Sequence, residues 1–133
     1  MSDIYMLDTD VCCYIIKHRS PDLQKKFVMH KNDTLCISAV TYAELLYGFE
    51  KKPSDKLERD ITEFVTLVLV VDWNHTAAQK YAKIRHSMTK SGHVIGALDM
   101  QIAAAAMAAD AQIVTNNMKH FEKIEGLRIA DWI

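Results

Sequence analysis

The sequence predicts an α/β fold: a central parallel sheet of about four to five short strands flanked by helices on both faces, three layers deep. Short apolar or β-branched runs at residues 5–7, 34–38, 68–72 and 112–115 alternate with longer segments of helical period. Each run also ends on a polar residue, as expected where the carboxyl ends of parallel strands line a ligand crevice. With 133 residues, half of them apolar, the chain fits a single domain over 1–133 with room for a real core.

Residues 5–7 form the first strand, and a helical pattern over 11–16 ends at Lys17-His18-Arg19, charges suited to a helix C-terminus. Ser20-Pro21 breaks the chain, with Pro21 at an acceptable first helical position for a helix over 22–30. After a turn at Lys31-Asn32-Asp33, "TLCIS" (34–38) is a buried strand, and Ser38 caps a helix over 39–51. A helix from about 54 to 65 merges into "VLVVD" (68–72), whose β-branched run predicts a central strand covered on both faces. Asn74 or Thr76 caps a long amphipathic helix to about Lys90, closed by Ser91-Gly92. The Ala-rich stretch 97–111 is helical, with small side chains that pack closely on a sheet. "QIVT" (112–115) is the last strand, followed by an Asn116-Asn117 turn and a short helix to about Glu122.

Net charge is −1, from 16 Lys+Arg against 17 Asp+Glu, so the total does not announce a polyanion partner. The distribution says more. Residues 73–98 contain no acid but hold Lys80, Lys83, Arg85, Lys90, His75, His86 and His93. Such a segment suits phosphate contacts, because local charge sets the field a polyanion meets; a solvated basic helix face is the competing reading. The three cysteines, two of them the adjacent Cys12 and Cys13, do not form an even, spaced disulfide pattern. They predict buried thiols in a reducing cytosol. No basic segment with a cleavage site opens the chain, and no apolar run approaches the roughly 20 residues that span a bilayer. A cytoplasmic protein is expected.

The polar residues at strand ends are Asp8, Thr9 and Asp10, then Ser38, then Asp72, then Thr115, Asn116 and Asn117. Taken alone, the two aspartates of "LDTDVC" admit a helix cap, a phosphatase nucleophile or a metal ligand. Two more carboxylates, Glu44 and Asp99, sit inside apolar helices with few partners in sequence. Such groups are costly to bury unless they face a metal, a cation or water. Each has a simpler reading: Glu44 on a solvent-facing helix position, Asp99 favouring its helix dipole. Together, carboxylates from a strand end and two helix N-terminal turns can converge on one crevice. Several acids with water are what hard Mg²⁺ or Mn²⁺ takes. An ion there lowers the pKa of a bound water and neutralises charge on a phosphodiester, which is metal-assisted hydrolysis.

The segments "YMLDTD", "ISAVTYAELLYG", "GALDMQIAAAA" and "IVTNNMKHFEKIEGLRIADW" resemble the PIN-domain ribonucleases, specifically the VapC toxins of bacterial VapBC toxin–antitoxin modules. The resemblance spans essentially the whole chain, in order. It implies Asp8, Glu44 and Asp99 as catalytic carboxylates that hold Mg²⁺ or Mn²⁺, Glu44 directly or through water. Asn117 falls at the fourth acidic position of many PIN domains, a departure that bears on a second metal. Thr9 and Asp10 match a "DT[ND]" pattern, leaving Asp10 at the helix N-terminus as cap or support. Thr115, Asn116 and Asn117 lie at the site's rim, where Thr115 and Asn117 would orient a water or a phosphate oxygen. The implied activity is an endoribonuclease on structured RNA such as tRNA, homodimeric and inhibited by a cognate VapB-like antitoxin. Lys83, Arg85 and Lys90 are the weaker candidates for RNA backbone contacts. Apolar residues in "DVCCYIIKH" and "ELLYGFEK" either pack the core or receive an antitoxin helix.

Two other classes compete. The acid-x-acid arrangement after a strand also occurs in haloacid-dehalogenase-like phosphatases, for which Ser38, Lys119 and Asp99 are the available partners; that class gives Glu44 no role. A non-catalytic binding module would keep the acids as remnants.

Overall fold

A computed structural model describes residues 3–132 of the chain. The elements run β1 (Ile4–Leu7), α1 (Thr9–Ile16), α2 (Pro21–Met29), β2 (Thr34–Ser38), α3 (Ala39–Lys51), α4 (Asp55–Thr66), β3 (Leu69–Val71), α5 (His75–Lys90), α6 (Ala97–Ala108), β4 (Gln112–Val114) and α7 (Met118–Phe121). The sheet has four parallel strands in the order β3-β2-β1-β4.

Alternation along the strands builds two cores. Tyr5 and Leu7, Leu35 and Ile37, and Val114 point to one face, where they meet Val11, Ile15, Leu23, Leu45, Ile61 and Phe64 from α1 to α4. Met6, Cys36 and Ile113 point to the other, against Ile84 and Met88 of α5, the alanines of α6 and Phe121. The period of two across each strand thus produces the three layers. The α6 alanines Ala103 to Ala106 are all buried, so this stretch of the helix, with no large side chain, lies close on the sheet.

Side chains cap most of the helices. Ser20, Ser38, Ser54 and Asn74 each accept a hydrogen bond from a backbone N–H in the first turn of α2, α3, α4 and α5, which satisfies donors the helix cannot. α1 starts two residues earlier than its apolar pattern, because Asp8 itself is the cap: its side chain accepts from Val11 N–H. α6 stops at Ala108, short of the predicted 111. The chain turns there through Asp110 in the left-handed region (φ 54°) to enter β4, and Ala111 N–H closes the helix end on the Ala106 carbonyl at 2.8 Å.

The expectation for 68–72 is corrected. β3 is the outer strand of the sheet, three residues long, with Leu69 60% exposed and Val70 exposed as well. A β-branched run shows strand preference and not position in the sheet. The opposite edge is covered: Ile113 N–H donates to the Arg128 carbonyl and Ala130 N–H to the Ile113 carbonyl. Trp132 then stacks on His30, centroids 4.4 Å apart, and lies beside Tyr5.

Strand order reverses at β1. The chain leaves β1 toward β2 and β3, then returns to place β4 on its other side. The carboxyl ends of β1 and β4 therefore flank the crevice where ligands bind in open parallel sheets. All three cysteines are free thiols, Cys12 and Cys36 buried and Cys13 half-buried.

Candidate active site

β1 and β4 deliver the first two groups to that crevice. Asp8 follows β1 directly and is only 5% exposed. Its N–H donates to the Val114 carbonyl at 3.0 Å, which ties its backbone to the end of β4. Its Oδ1 accepts from Val11 N–H at 2.9 Å, and the Thr115 hydroxyl donates to the same carboxylate. Thr115 is itself buried and accepts the Asn117 N–H at 2.9 Å. Burial pushes the Asp8 carboxyl up to about 6 against the pull of these two donors, and the nearby charges of Asp10 and Asp99 push the same way. Asp8 and Asp99 thus share one field.

Glu44 is positioned through Thr9. Ser38 caps α3 and sets its direction, and Glu44 falls on the second turn. The Thr9 hydroxyl donates to Glu44 Oε1 at 2.7 Å and lies 3.2 Å from Thr41 Oγ1. Thr41, fully buried, precedes Glu44 by three residues and occupies the same helix face. The residue after Asp8 therefore steers the carboxylate of α3 toward the crevice, and Glu44 is half-buried rather than solvent-facing.

Asp99 sits in the first turn of α6, where a negative charge also suits the helix dipole. Its Oδ2 lies 2.8 Å from Nδ1 of His120, and His120 Nε2 lies 3.0 Å from Asn117 Nδ2. Among the described residues, Asn117 is linked to Asp99 through His120.

The other candidates lie at different distances from this centre. Asp10 is exposed in the first turn of α1; it is not the cap, and it acts on Asp8 only through its charge. Asn116 turns away into a cleft with Lys25, Lys26 and Trp132. Asp72 is exposed at the end of the outer strand, two strands from β1. Ser38 is fully buried and committed to Val40 N–H, so it does not supply the free strand-end hydroxyl of a phosphatase. Lys83, Arg85 and Lys90 are exposed on α5. Lys83 lines a cleft with Glu125 and Met107, and Met107 lies roughly 12 Å along α6 from Asp99 at 1.5 Å per residue. Lys90 ends α5, one short loop before α6. Two residues escape sequence reasoning. Thr41 shares the Glu44 face, a spacing visible in "TYAE"; His120 lies 21 residues from Asp99, and no local pattern signals their contact.

Among the described residues, no three His, Cys, Asp or Glu side chains already form a group able to hold a metal ion; Glu44 is drawn to Thr9 and Asp99 to His120. The donor set still fits a hard divalent cation. It consists of carboxylate oxygens, and the charges acting on buried Asp8 are the negative ones of Asp10 and Asp99. A cation would relieve that repulsion.

Fold and acidic crevice together define a PIN-type domain, and the PIN domain family matches residues 5–127. The chain is 36% identical over 129 residues to a tRNA(fMet)-specific endonuclease VapC of Shigella flexneri, covering 96% of this chain and 97% of that one. It superposes on the structure of VapBC2 from Rickettsia felis bound to a DNA fragment from their promoter with a TM-score of 0.91 at 31% identity, covering 98% and 99% of the two chains. DNA-bound VapBC from Salmonella typhimurium gives a TM-score of 0.87 at 34% identity over the full length of both chains. The chain belongs to the VapC ribonucleases of the PIN-domain family. PIN-domain ribonucleases are in general dependent on divalent metal. No helix among the described residues is long and apolar enough to cross a membrane.

Proposed function

We propose that the chain, acting as one unit over 1–133, is the toxin of a type II toxin–antitoxin pair in the cytoplasm. It is a Mg²⁺- or Mn²⁺-dependent endoribonuclease that hydrolyses phosphodiester bonds in structured RNA, with tRNA as the substrate class. The observation that carries this reading is a buried carboxylate, Asp8, raised to about 6 at the switch point of a parallel sheet and facing the charge of Asp99. The Shigella relative, similar over nearly the whole chain, is named for cleavage of tRNA(fMet).

Asp8 and Asp99 would hold the ion directly and Glu44 directly or through water. When bound, the ion supplies an acidified water and neutralises charge on the phosphate. The chain does the rest. Val11 N–H and the Thr115 hydroxyl fix the Asp8 carboxylate. Thr9, the residue after Asp8, holds Glu44, which would reach the ion directly or through water. Water adds to phosphorus as the P–O bond to the leaving nucleotide breaks, and the leaving oxygen takes a proton. Lys90, one short loop before the helix that carries Asp99, engages the RNA backbone.

A VapB-like antitoxin holds the enzyme inactive. Most apolar residues of α1 pack the core, yet Tyr14, Leu46 and Tyr47 stay exposed. Leu46 also lines a groove between α3 and α4 with Tyr42, Phe49, Ile61 and Val65. An amphipathic antitoxin helix fits such a groove, and a basic residue beyond it satisfies the acids in place of metal. A homodimer is the assembly that the family resemblance implies.

Sequencing the 5′ ends of total RNA after brief induction tests the reading. A sharp new end within a tRNA loop is expected. An unchanged profile would contradict it and favour a non-catalytic binding module.

A further inference from the structure

We infer that His120 is a positioning residue for Asp99, and that an Asn117–His120–Asp99 relay stands where many PIN domains have a fourth carboxylate. The inference rests on the metal-dependent reading of the site given above. Asn117 Nδ2 can only donate, so His120 Nε2 accepts at 3.0 Å. The neutral ring then carries its proton on Nδ1 and donates to Asp99 Oδ2 at 2.8 Å. Each partner fixes the next: the Asn117 backbone is pinned by the buried Thr115 hydroxyl, which also donates to Asp8. One connected set of hydrogen bonds thus links the ligand at the end of β1 to the ligand at the start of α6.

The consequence for cation binding is specific. A donor on Oδ2 restricts rotation of the Asp99 carboxylate and leaves Oδ1 outside that hydrogen bond, so less ordering is needed when an ion binds. Groups that hold ligands in this way are worth about 10–100-fold in metal affinity. A relay ending in a donor adds no negative charge, so the site attracts one ion where an extra carboxylate would help to hold a second. His120 is 46% exposed at its side chain, and its replacement removes no core contact.

Mn²⁺ titration of the chain without RNA, by calorimetry, tests the relay. Native protein is expected to bind one ion per chain. His120→Ala should weaken that binding about tenfold or more at unchanged melting temperature, and His120→Gln, which keeps an N–H toward Asp99, should recover part of the loss. Native affinity in His120→Ala, or equal losses in the Ala and Gln variants, would overturn the role given to His120. Asp99→Asn separates the two levels: if it too binds Mn²⁺ as the native chain does, the metal-site reading itself falls, and the relay with it.

Discussion

Asp8 and Thr115 directly follow two adjacent parallel strands, where the Thr115 hydroxyl donates to the Asp8 carboxylate and the Asp8 N–H to the carbonyl of the neighbouring Val114. Neither bond balances the burial of the carboxylate, which stays raised to about 6. The site therefore holds a charge the fold does not favour, and that cost is measurable.

Between about pH 4 and pH 6, folded Asp8 keeps a proton that the unfolded chain has released, so this residue makes stability fall as pH rises through the window. Above pH 6 the penalty is complete. Asp8→Asn, which retains an acceptor for Val11 N–H, is expected to be more stable than native protein by about 1–3 kcal/mol at pH 7.5 in chelator. The difference should vanish near pH 4. Urea unfolding at both pH values checks it.

Thr9 connects α1 to Glu44 and lies within reach of the buried Thr41 hydroxyl. Thr9→Val is expected to cost about 1–2 kcal/mol in unfolding free energy and to slow cleavage about tenfold or more. Thr9→Ser keeps the hydroxyl and should restore most of both. Parallel denaturation and cleavage assays separate the two effects.

On α5 the basic residues are not equivalent. Lys90 ends the helix one short loop before α6 in sequence, whereas Lys83 lines a cleft with Met107 and Glu125. Lys90→Glu should weaken RNA binding and lower the salt slope by about one. Lys83→Glu should leave both near native values, as read by binding titrations at several salt concentrations.

Leu46 is exposed yet forms part of the groove between α3 and α4. A charge there should weaken antitoxin capture without unfolding the chain. Leu46→Asp is expected to reduce affinity for the co-expressed antitoxin at least tenfold, or about 1.4 kcal/mol, in pull-down and calorimetry, with RNA cleavage retained.

Much of this architecture is legible in the residues. "TLCIS" followed by "AVTYAELLYGFEK" gives β2 and α3 to the residue, because a β-branched run meets a serine whose hydroxyl caps the next helix. Glu44 and Asp99 stand out because their neighbours are apolar, and Asp8 because it ends the apolar run of the first strand. Other features depend on contacts far apart in sequence. "VLVVD" has the composition of a central strand yet forms the outer one, since strand order is fixed by where the chain returns. The cap on α1 is Asp8 and not Asp10, which is visible only from the extended backbone at Asp8. His120 reaches Asp99 across 21 residues because α7 packs beside α6, and no periodicity encodes that meeting.

The central claim is that Asp8, Glu44 and Asp99 carry metal-dependent cleavage. Its most direct test is single-turnover cleavage of purified tRNA with Mn²⁺ by native protein and by Asp8→Asn, Glu44→Gln and Asp99→Asn, each shown to be folded. The predicted result is cleavage at one loop by native protein, abolished by EDTA and reduced about 10²-fold or more in every variant, since several kcal/mol of charge stabilisation are lost. Native rates in Asp8→Asn, or cleavage that persists in EDTA, would contradict it.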